Sequence, residues 1–397
     1  MQISKRAQEF QASSIRRLRP YADAARHQGK KVYHLNIGQP DIKTPQTIID
    51  AVHTIDLEIL AYGPSDGLEE YREALPEYYR SHGIDVSPEN IVVTTGGSEA
   101  IHFTFLSICD PGDQIIIPEP FYTNFGGFAA MNSIEIVPVT SHLEDSFQLP
   151  SIDHFAEKIT DRTKAILICN PGNPTGHVYS RDDLEALADL VIEHDLFLIV
   201  DEVYREFVYD GTTHTSVFSL EKLGDRAIML DSISKRYSAC GARIGFLITR
   251  NRDVLASALK FGQARLCPPH IEQVAAMAAL KTPPSYAQEV LKEYQRRRDV
   301  VSQALEQMPG VLYSHPKGAF YIIARLPVDN AEEFAKFLLS EFDIDNETVM
   351  FAPAEGFYAT PGLGRSEVRI AYVLNEDDLR KAMKILEAGL AAYTSRA

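Results

Sequence analysis

Lys235, in the run Asp231-Ser-Ile-Ser-Lys-Arg-Tyr-Ser-Ala-Cys-Gly-Ala-Arg-Ile-Gly245, is the residue best placed to act as an amine nucleophile. It follows Ser232 and Ser234 directly after a β-rich stretch, and Arg243 stands eight residues beyond it. A lysine crowded by cations loses basicity and becomes the neutral amine that Schiff-base chemistry requires. On a plain surface loop the same lysine would be only a solvated charge. The surrounding glycines, serines and arginine oppose that reading.

Three further stretches could serve such an amine. Ile91-Val-Val-Thr-Thr-Gly-Gly-Ser-Glu-Ala100 passes from a strand pattern through two glycines to a helix pattern. A phosphate over Gly97 and Ser98 would meet free N–H groups at the helix start; a tight turn with Ser98 as N-cap explains the same residues. The nucleotide-binding pattern GxxxxGK[ST] is absent. Asn170-Pro-Gly-Asn-Pro-Thr-Gly176 follows another strand, and Asn173 could offer its amide to a ligand oxygen, although a structural turn accounts equally well for the Pro and Gly. In Leu196-Phe-Leu-Ile-Val-Asp-Glu-Val-Tyr204, Asp201 ends a buried strand, with Tyr204 three residues on. A carboxylate there needs a cationic or hydrogen-bonding partner such as a protonated pyridine nitrogen, unless it is a helix N-cap. Glu202 points elsewhere and reads as structural. No HExxH or other histidine pair accompanies these acids, so no metal is expected.

The elements that must position these residues are legible around them. Strands are expected at 91–95, 114–118, 134–139, 165–169, 196–200, 227–230 and 243–248. They alternate with helical patterns such as 182–194, which has Ser180 as N-cap. This is the texture of an α/β fold: a large domain whose mostly parallel sheet is sandwiched by helices, over residues 36–285. A charged helix at 286–307 leads into strands at 319–325, 348–352 and 368–372 and a closing helix at 375–393, a smaller α+β domain over 286–397. Residues 1–35, read as a helix at 5–28 without a strand partner, are expected to pack on that smaller domain.

With 397 residues, 45% of them hydrophobic, the chain can bury a large core, and its net charge of -16 opposes binding to nucleic acid or to an anionic membrane. Met1 to Arg19 has no secretory apolar run, and no stretch reaches the length of a membrane span. The four cysteines are far apart, with neither metal spacing nor disulfide density, so a reducing cytoplasm is expected.

Together these stretches resemble the aspartate aminotransferase family, the class I/II aminotransferases of pyridoxal phosphate fold type I. The resemblance runs from Asn36-Ile-Gly-Gln-Pro-Asp41 through Ala61-Tyr-Gly-Pro-Ser-Asp-Gly67 and the motifs above to Val368-Arg-Ile-Ala371. It implies that pyridoxal 5′-phosphate forms a Schiff base with Lys235, which then shuttles a proton at Cα. It also implies that Asp201 keeps the pyridine nitrogen protonated and that Asn173 and Tyr204 bond the phenolic oxygen. Gly97, Ser98, Ser232 and Arg243 would hold the phosphate. Tyr122, in Pro120-Phe-Tyr-Thr-Asn124, would stack on the ring, although as a residue it reads equally as one more core aromatic. Arg369 would clamp the substrate α-carboxylate, as an arginine fork does well, and Gly38 would lie over the same group. Tyr62 resembles the tyrosine that reaches the phosphate of a neighbouring subunit, which implies a homodimer with shared active sites.

Two departures bear on the substrate. There is no tryptophan in the chain, and the glycine turn reads Gly-Gly-Ser where several aspartate-using relatives have Gly-Gly-Lys. The resemblance therefore implies an aminotransferase, with aspartate and 2-oxoglutarate as the first substrates to expect and alanine or aromatic amino acids as alternatives. A lyase or decarboxylase on the same scaffold is the competing enzyme class. Arg265, in Gln263-Ala-Arg-Leu-Cys-Pro-Pro269, is expected to bind a distal substrate carboxylate across the dimer interface, unless it is an interface arginine paired with an acid.

Overall fold

The computed structural model describes residues 1–10 and 13–396. Its largest sheet has seven strands in the order Ile91–Thr95, Ile244–Thr249, Ala227–Ser232, Phe197–Asp201, Thr163–Cys169, Gln114–Glu119 and Glu135–Thr140. Strand Ile244–Thr249 runs antiparallel to both neighbours and every other pairing is parallel. The near-continuous apolar runs of these strands follow from burial on both faces. Ile166, Ile168, Leu198, Val200 and Met229 enter one core, and their chain neighbours Leu167, Ile199, Ile228 and Leu230 enter the opposite one. That division is the period of two written into the sequence.

The pairing register brings the chemistry to one edge. Cys169 pairs with Asp201, Asp201 with Leu230, and Ser232 with Gly245, so the carboxyl ends of three parallel strands end level with the start of the antiparallel one. Ligands in open α/β sheets bind outside such carboxyl ends. The expected helix at 182–194 is found at Arg181–Glu193, its Ser180 cap accepting from the Asp183 N–H.

Beyond the long helix Pro284–Gln307, a four-stranded antiparallel sheet is ordered Ala352–Pro353, Glu367–Ala371, Tyr321–Arg325, Leu312–Tyr313. Leu18, Ala22, Tyr33 and Leu35 share a core with Phe334, Leu338, Val349 and Leu386.

Three expectations need correction. The single helix at 5–28 is instead Lys5–Glu9 and Arg19–His27, with turns between, and residues 11 and 12 fall outside the described residues. Pro20 sits in the first turn of the second helix, where its missing N–H costs nothing, and it would break a helix running through. The segment also has a strand partner: Lys31–His34 pairs in parallel with Glu347–Met350. A four-residue strand with one fully buried side chain shows too little alternation to be recognised in sequence. The strand expected at 348–352 is split: Glu347–Met350 pairs with Lys31–His34, and Ala352–Pro353 with Glu367–Ala371.

Candidate active site

Strand Ile91–Thr95 delivers the chain into helix Gly96–Ile108, which begins three residues earlier than a Ser98 cap requires. Gly96 has φ +72° and turns the chain, while the Glu99 carboxylate accepts the Thr95 N–H at 2.8 Å. Gly97 and Ser98 thus lie in the first helical turn, whose N–H groups have no intrahelical acceptor. Two close approaches build a cradle around them. A Cβ on Gly96 would lie 2.5 Å from an Arg243 guanidinium nitrogen, and a Cβ on Gly245 would lie 2.3 Å from the Gly96 carbonyl carbon. Only glycines let these backbones and the arginine meet. Because Gly245 pairs with Ser232, the same contact brings Ser232 beside Gly97. The four residues expected to hold a phosphate therefore converge around one turn, and their N–H groups, hydroxyls and guanidinium suit an anion.

Ser232 also caps the short helix Ile233–Arg236 that carries Lys235. Its hydroxyl accepts the Ser234 N–H at 3.1 Å and donates to the Ile244 carbonyl at 2.8 Å. The Lys235 amine donates to the Gly38 carbonyl at 2.7 Å. Burial pushes its pKa down; nearby Cys240 and Asp201 oppose the shift and Arg369 adds to it. The cation that acts on Lys235 is thus Arg369 and not the expected Arg243, and burial outweighs it.

Asp201 does not cap a helix. Turns follow it, and its carboxylate accepts the Val203 N–H at 3.1 Å. Burial raises its pKa to about 7, with the Val203 N–H and Lys235 resisting and Asp231 and Glu202 adding to the rise. Such a carboxyl favours a cationic partner in the cavity beside it. Neighbouring Asp231 is held the other way: burial alone would raise it, but Arg236 and Arg205 bring it to about 2. Glu202 is fully buried on Arg205, Ser216 and the Val217 N–H, a structural arrangement.

Asn173 joins two of the other expected residues. Its amide nitrogen reaches the Tyr204 hydroxyl at 3.5 Å, and its carbonyl oxygen accepts from Arg369 at 3.1 Å. Both bonds from Asn to Pro in this turn, 170–171 and 173–174, are cis. Arg369 is 1% exposed, donates also to the Asn36 carbonyl, lies over the Tyr321 ring, and retains a buried Nε with no hydrogen-bond partner. A buried arginine with spare donors and no carboxylate partner is arranged for an anion from outside.

Lys235, Asp201, Arg369, Asn173, Tyr204 and the anion cradle line a single cavity of about 580 Å³, together with Gly38 and Tyr122. Tyr122 is half-buried, and its hydroxyl accepts from Asn124 at 2.8 Å. Two expected residues lie outside this cavity. Tyr62 is 79% exposed. Arg265 forms an ion pair with Glu99 at 3.3 Å and points its Nη2 at the carbonyls of Ser65 and Val93, so its charge has a partner within its own chain although its buried Nε and Nη1 have no hydrogen bond. Sequence reasoning missed Tyr321, whose hydroxyl meets that of Tyr204 at 2.7 Å, and it missed Arg16 and Asn124, which also line the cavity. Nothing in the local pattern around those residues marks them.

Among the described residues no group of His, Cys, Asp or Glu could hold a metal ion, and no helix is long and apolar enough to cross a membrane.

The family model described as aminotransferase class I and II matches residues 30–386. An aspartate aminotransferase of Pyrococcus abyssi is 33% identical over 98% of both chains, and aromatic-amino-acid aminotransferase 2 of Thermococcus litoralis is 32% identical over the same shares. In the solved structure of an alanine aminotransferase from Pyrococcus furiosus the fold recurs with a TM-score of 0.90 at 32% identity, covering 98% of this chain and all of that one. The amine, anion cradle and buried arginine thus stand in a chain matched along nearly its whole length, which belongs to the class I and II aminotransferases and is an aminotransferase.

Proposed function

We propose that this enzyme moves the amino group of an L-amino acid, aspartate first, to 2-oxoglutarate, with pyridoxal 5′-phosphate held on Lys235. The observation that carries the reading is the meeting, in one cavity, of a buried lysine of lowered pKa, a buried carboxyl raised to about 7 and an anion cradle. Each matches one part of the cofactor: its aldehyde, its ring nitrogen and its phosphate. When bound, pyridoxal phosphate supplies an aldehyde that condenses with amines and a ring that accepts the electron pair left at Cα.

Gly97, Ser98, Ser232 and Arg243 would hold the phosphate. Asp201 would pair with the protonated ring nitrogen, Tyr122 would cover the ring face, and Asn173 and Tyr204 would donate to the phenolic oxygen. Arg369 fixes the substrate α-carboxylate beneath Gly38, which orients the Cα–H bond. The Lys235 amine, buried beside this space and of lowered basicity, would serve as the base that takes the proton from Cα and returns it at C4′.

A homodimer with Tyr62 entering the neighbouring site is part of this reading. The apolar run Leu57, Ile59, Leu60 and Tyr62 is 46–79% exposed, more than a lone chain leaves uncovered without reason. A reducing cytoplasm suits the four unpaired cysteines among the described residues.

A panel of amino acids, with 2-oxo acid product measured in the presence and absence of 2-oxoglutarate, tests the reading. Product that requires the acceptor supports aminotransfer, and product formed equally without it identifies a lyase.

A further inference from the structure

Four cationic side chains line the cavity: Lys235, Arg243, Arg369 and Arg16. The first three are engaged by the chain itself. Lys235 donates to the Gly38 carbonyl, Arg243 to the Cys240 carbonyl at 3.1 Å, and Arg369 to Asn173 and Asn36. Arg16 is different. Among the described residues its side chain has no hydrogen bond or ion pair, although the chain carries 55 acidic side chains against 39 basic ones.

Its place is set by its neighbours. The Ile15 carbonyl accepts from Asn36 at 3.0 Å, which ties the segment to the stretch that carries Gly38. Ser14 is buried against Gly356, where even one added Cβ would collide at 2.3 Å. Arg17 pairs with Glu332. With residues on both sides held, Arg16 is left at the cavity, near enough to Tyr122 for its charge to oppose in part the rise that burial gives the phenol's pKa. Ile15, Ile37 and Phe128 supply apolar wall around the same space, suited to the methylenes between two carboxylates.

We infer that Arg16 is the specificity residue that binds the distal carboxylate of a dicarboxylic amino or 2-oxo acid whose α-carboxylate rests on Arg369. The inference rests on the aminotransfer reading above and replaces Arg265, whose charge Glu99 already answers. It makes the discrimination a property of one chain and its N-terminal segment.

The test compares holoenzymes of wild type, Arg16→Met, Arg16→Lys and Arg265→Ala. Single-turnover rates are measured with aspartate, glutamate and alanine, and calorimetry measures binding of maleate, an unreactive dicarboxylate, against butyrate. Arg16→Met should lower kcat/KM for aspartate and glutamate by about 10- to 100-fold, the range for a hydrogen bond to a charged group. Maleate affinity should fall in parallel. Alanine turnover and butyrate binding should change by no more than about threefold, and Arg16→Lys should recover part of the loss. Equal losses for aspartate and alanine, unchanged maleate binding in Arg16→Met, or discrimination lost only in Arg265→Ala would each overturn the assignment. A wild type that uses alanine but no dicarboxylic donor also overturns it while leaving aminotransfer intact. A wild type that uses no donor at all refutes the aminotransfer reading instead, and maleate binding still decides whether Arg16 reads a second carboxylate.

Discussion

The amine of Lys235 donates a hydrogen bond to the carbonyl oxygen of Gly38 across 2.7 Å of space and 197 residues of sequence. The lysine sits at the sheet edge and the glycine in the N-terminal stretch, so one bond joins the amine to the segment that covers it. A bond from nitrogen to an aldehyde carbon leaves that amine fewer donors for Gly38. Under the proposed reading, loading of the cofactor on Lys235 would therefore bear on the position of the segment that carries Gly38.

Lys235→Ala should abolish turnover while pyridoxal phosphate still binds without a covalent link, because the cradle and Asp201 remain. Borohydride should fix the cofactor on the wild type alone, which peptide mass spectrometry reads directly. In the cofactor-free wild type, reductive labelling of Lys235 by a small aldehyde should set in at a lower pH than labelling of surface lysines, since burial lowers its pKa. Full turnover by the alanine variant would refute the assignment.

Asp201→Asn should reduce turnover by about 10²–10³, the usual cost of losing one electrostatic stabiliser of a developing charge. The cofactor-free protein offers a second reading. Burial raises Asp201 from 3.8 to about 7, so between those values the folded form keeps a proton that the unfolded chain has released. The stability linked to this group is full below pH 3.8 and falls as pH rises toward 7. Asn does not titrate, so urea unfolding should show the variant gaining on the wild type across that window, by up to about 4 kcal/mol. Pyridoxal phosphate should shrink the difference by giving the carboxylate a cation. A difference that does not vary with pH would contradict the raised value.

Gly38→Ala would put a Cβ 1.8 Å from the Tyr321 hydroxyl. The ring or the segment must shift, and the bond from Tyr321 to Tyr204 shifts with it. Overpacking of this kind costs about 1–3 kcal/mol. KM for both amino and 2-oxo acids should rise whatever their side chains, because Arg369 also bonds this segment through Asn36. Unaltered KM values would mean that Gly38 is not at the substrate.

Gly245→Ala should weaken cofactor binding more than substrate binding. Its Cβ would meet backbone atoms of Gly96 and Gly97 at 2.3 and 2.5 Å, and backbone yields less readily than a side chain. Gly241→Ala, four residues away with nothing within 4 Å of its Cβ position, is the control and should leave stability within about 0.5 kcal/mol. Equilibrium dialysis of the cofactor and thermal melts of both variants would distinguish them.

What the sequence determined by itself was local. Ser98, Asn173, Asp201, Ser232 and Lys235 each stand where a run of apolar residues gives way to Gly, Pro, Asn, Asp or Ser, and such transitions depend on interactions within a few residues. Their order along a βα alternation was enough to place them at strand ends, and so to expect a shared edge. What only the tertiary structure decided were contacts between residues far apart in the chain. Tyr321 meets Tyr204 across 117 residues and Arg369 meets Asn36 across 333, because sheet register and the packing of the N-terminal segment set those distances. The same packing engaged Arg265 with Glu99 and left Arg16 facing the cavity. Both arginines look alike in sequence, since a charge is assigned its partner by space and not by its neighbours in the chain.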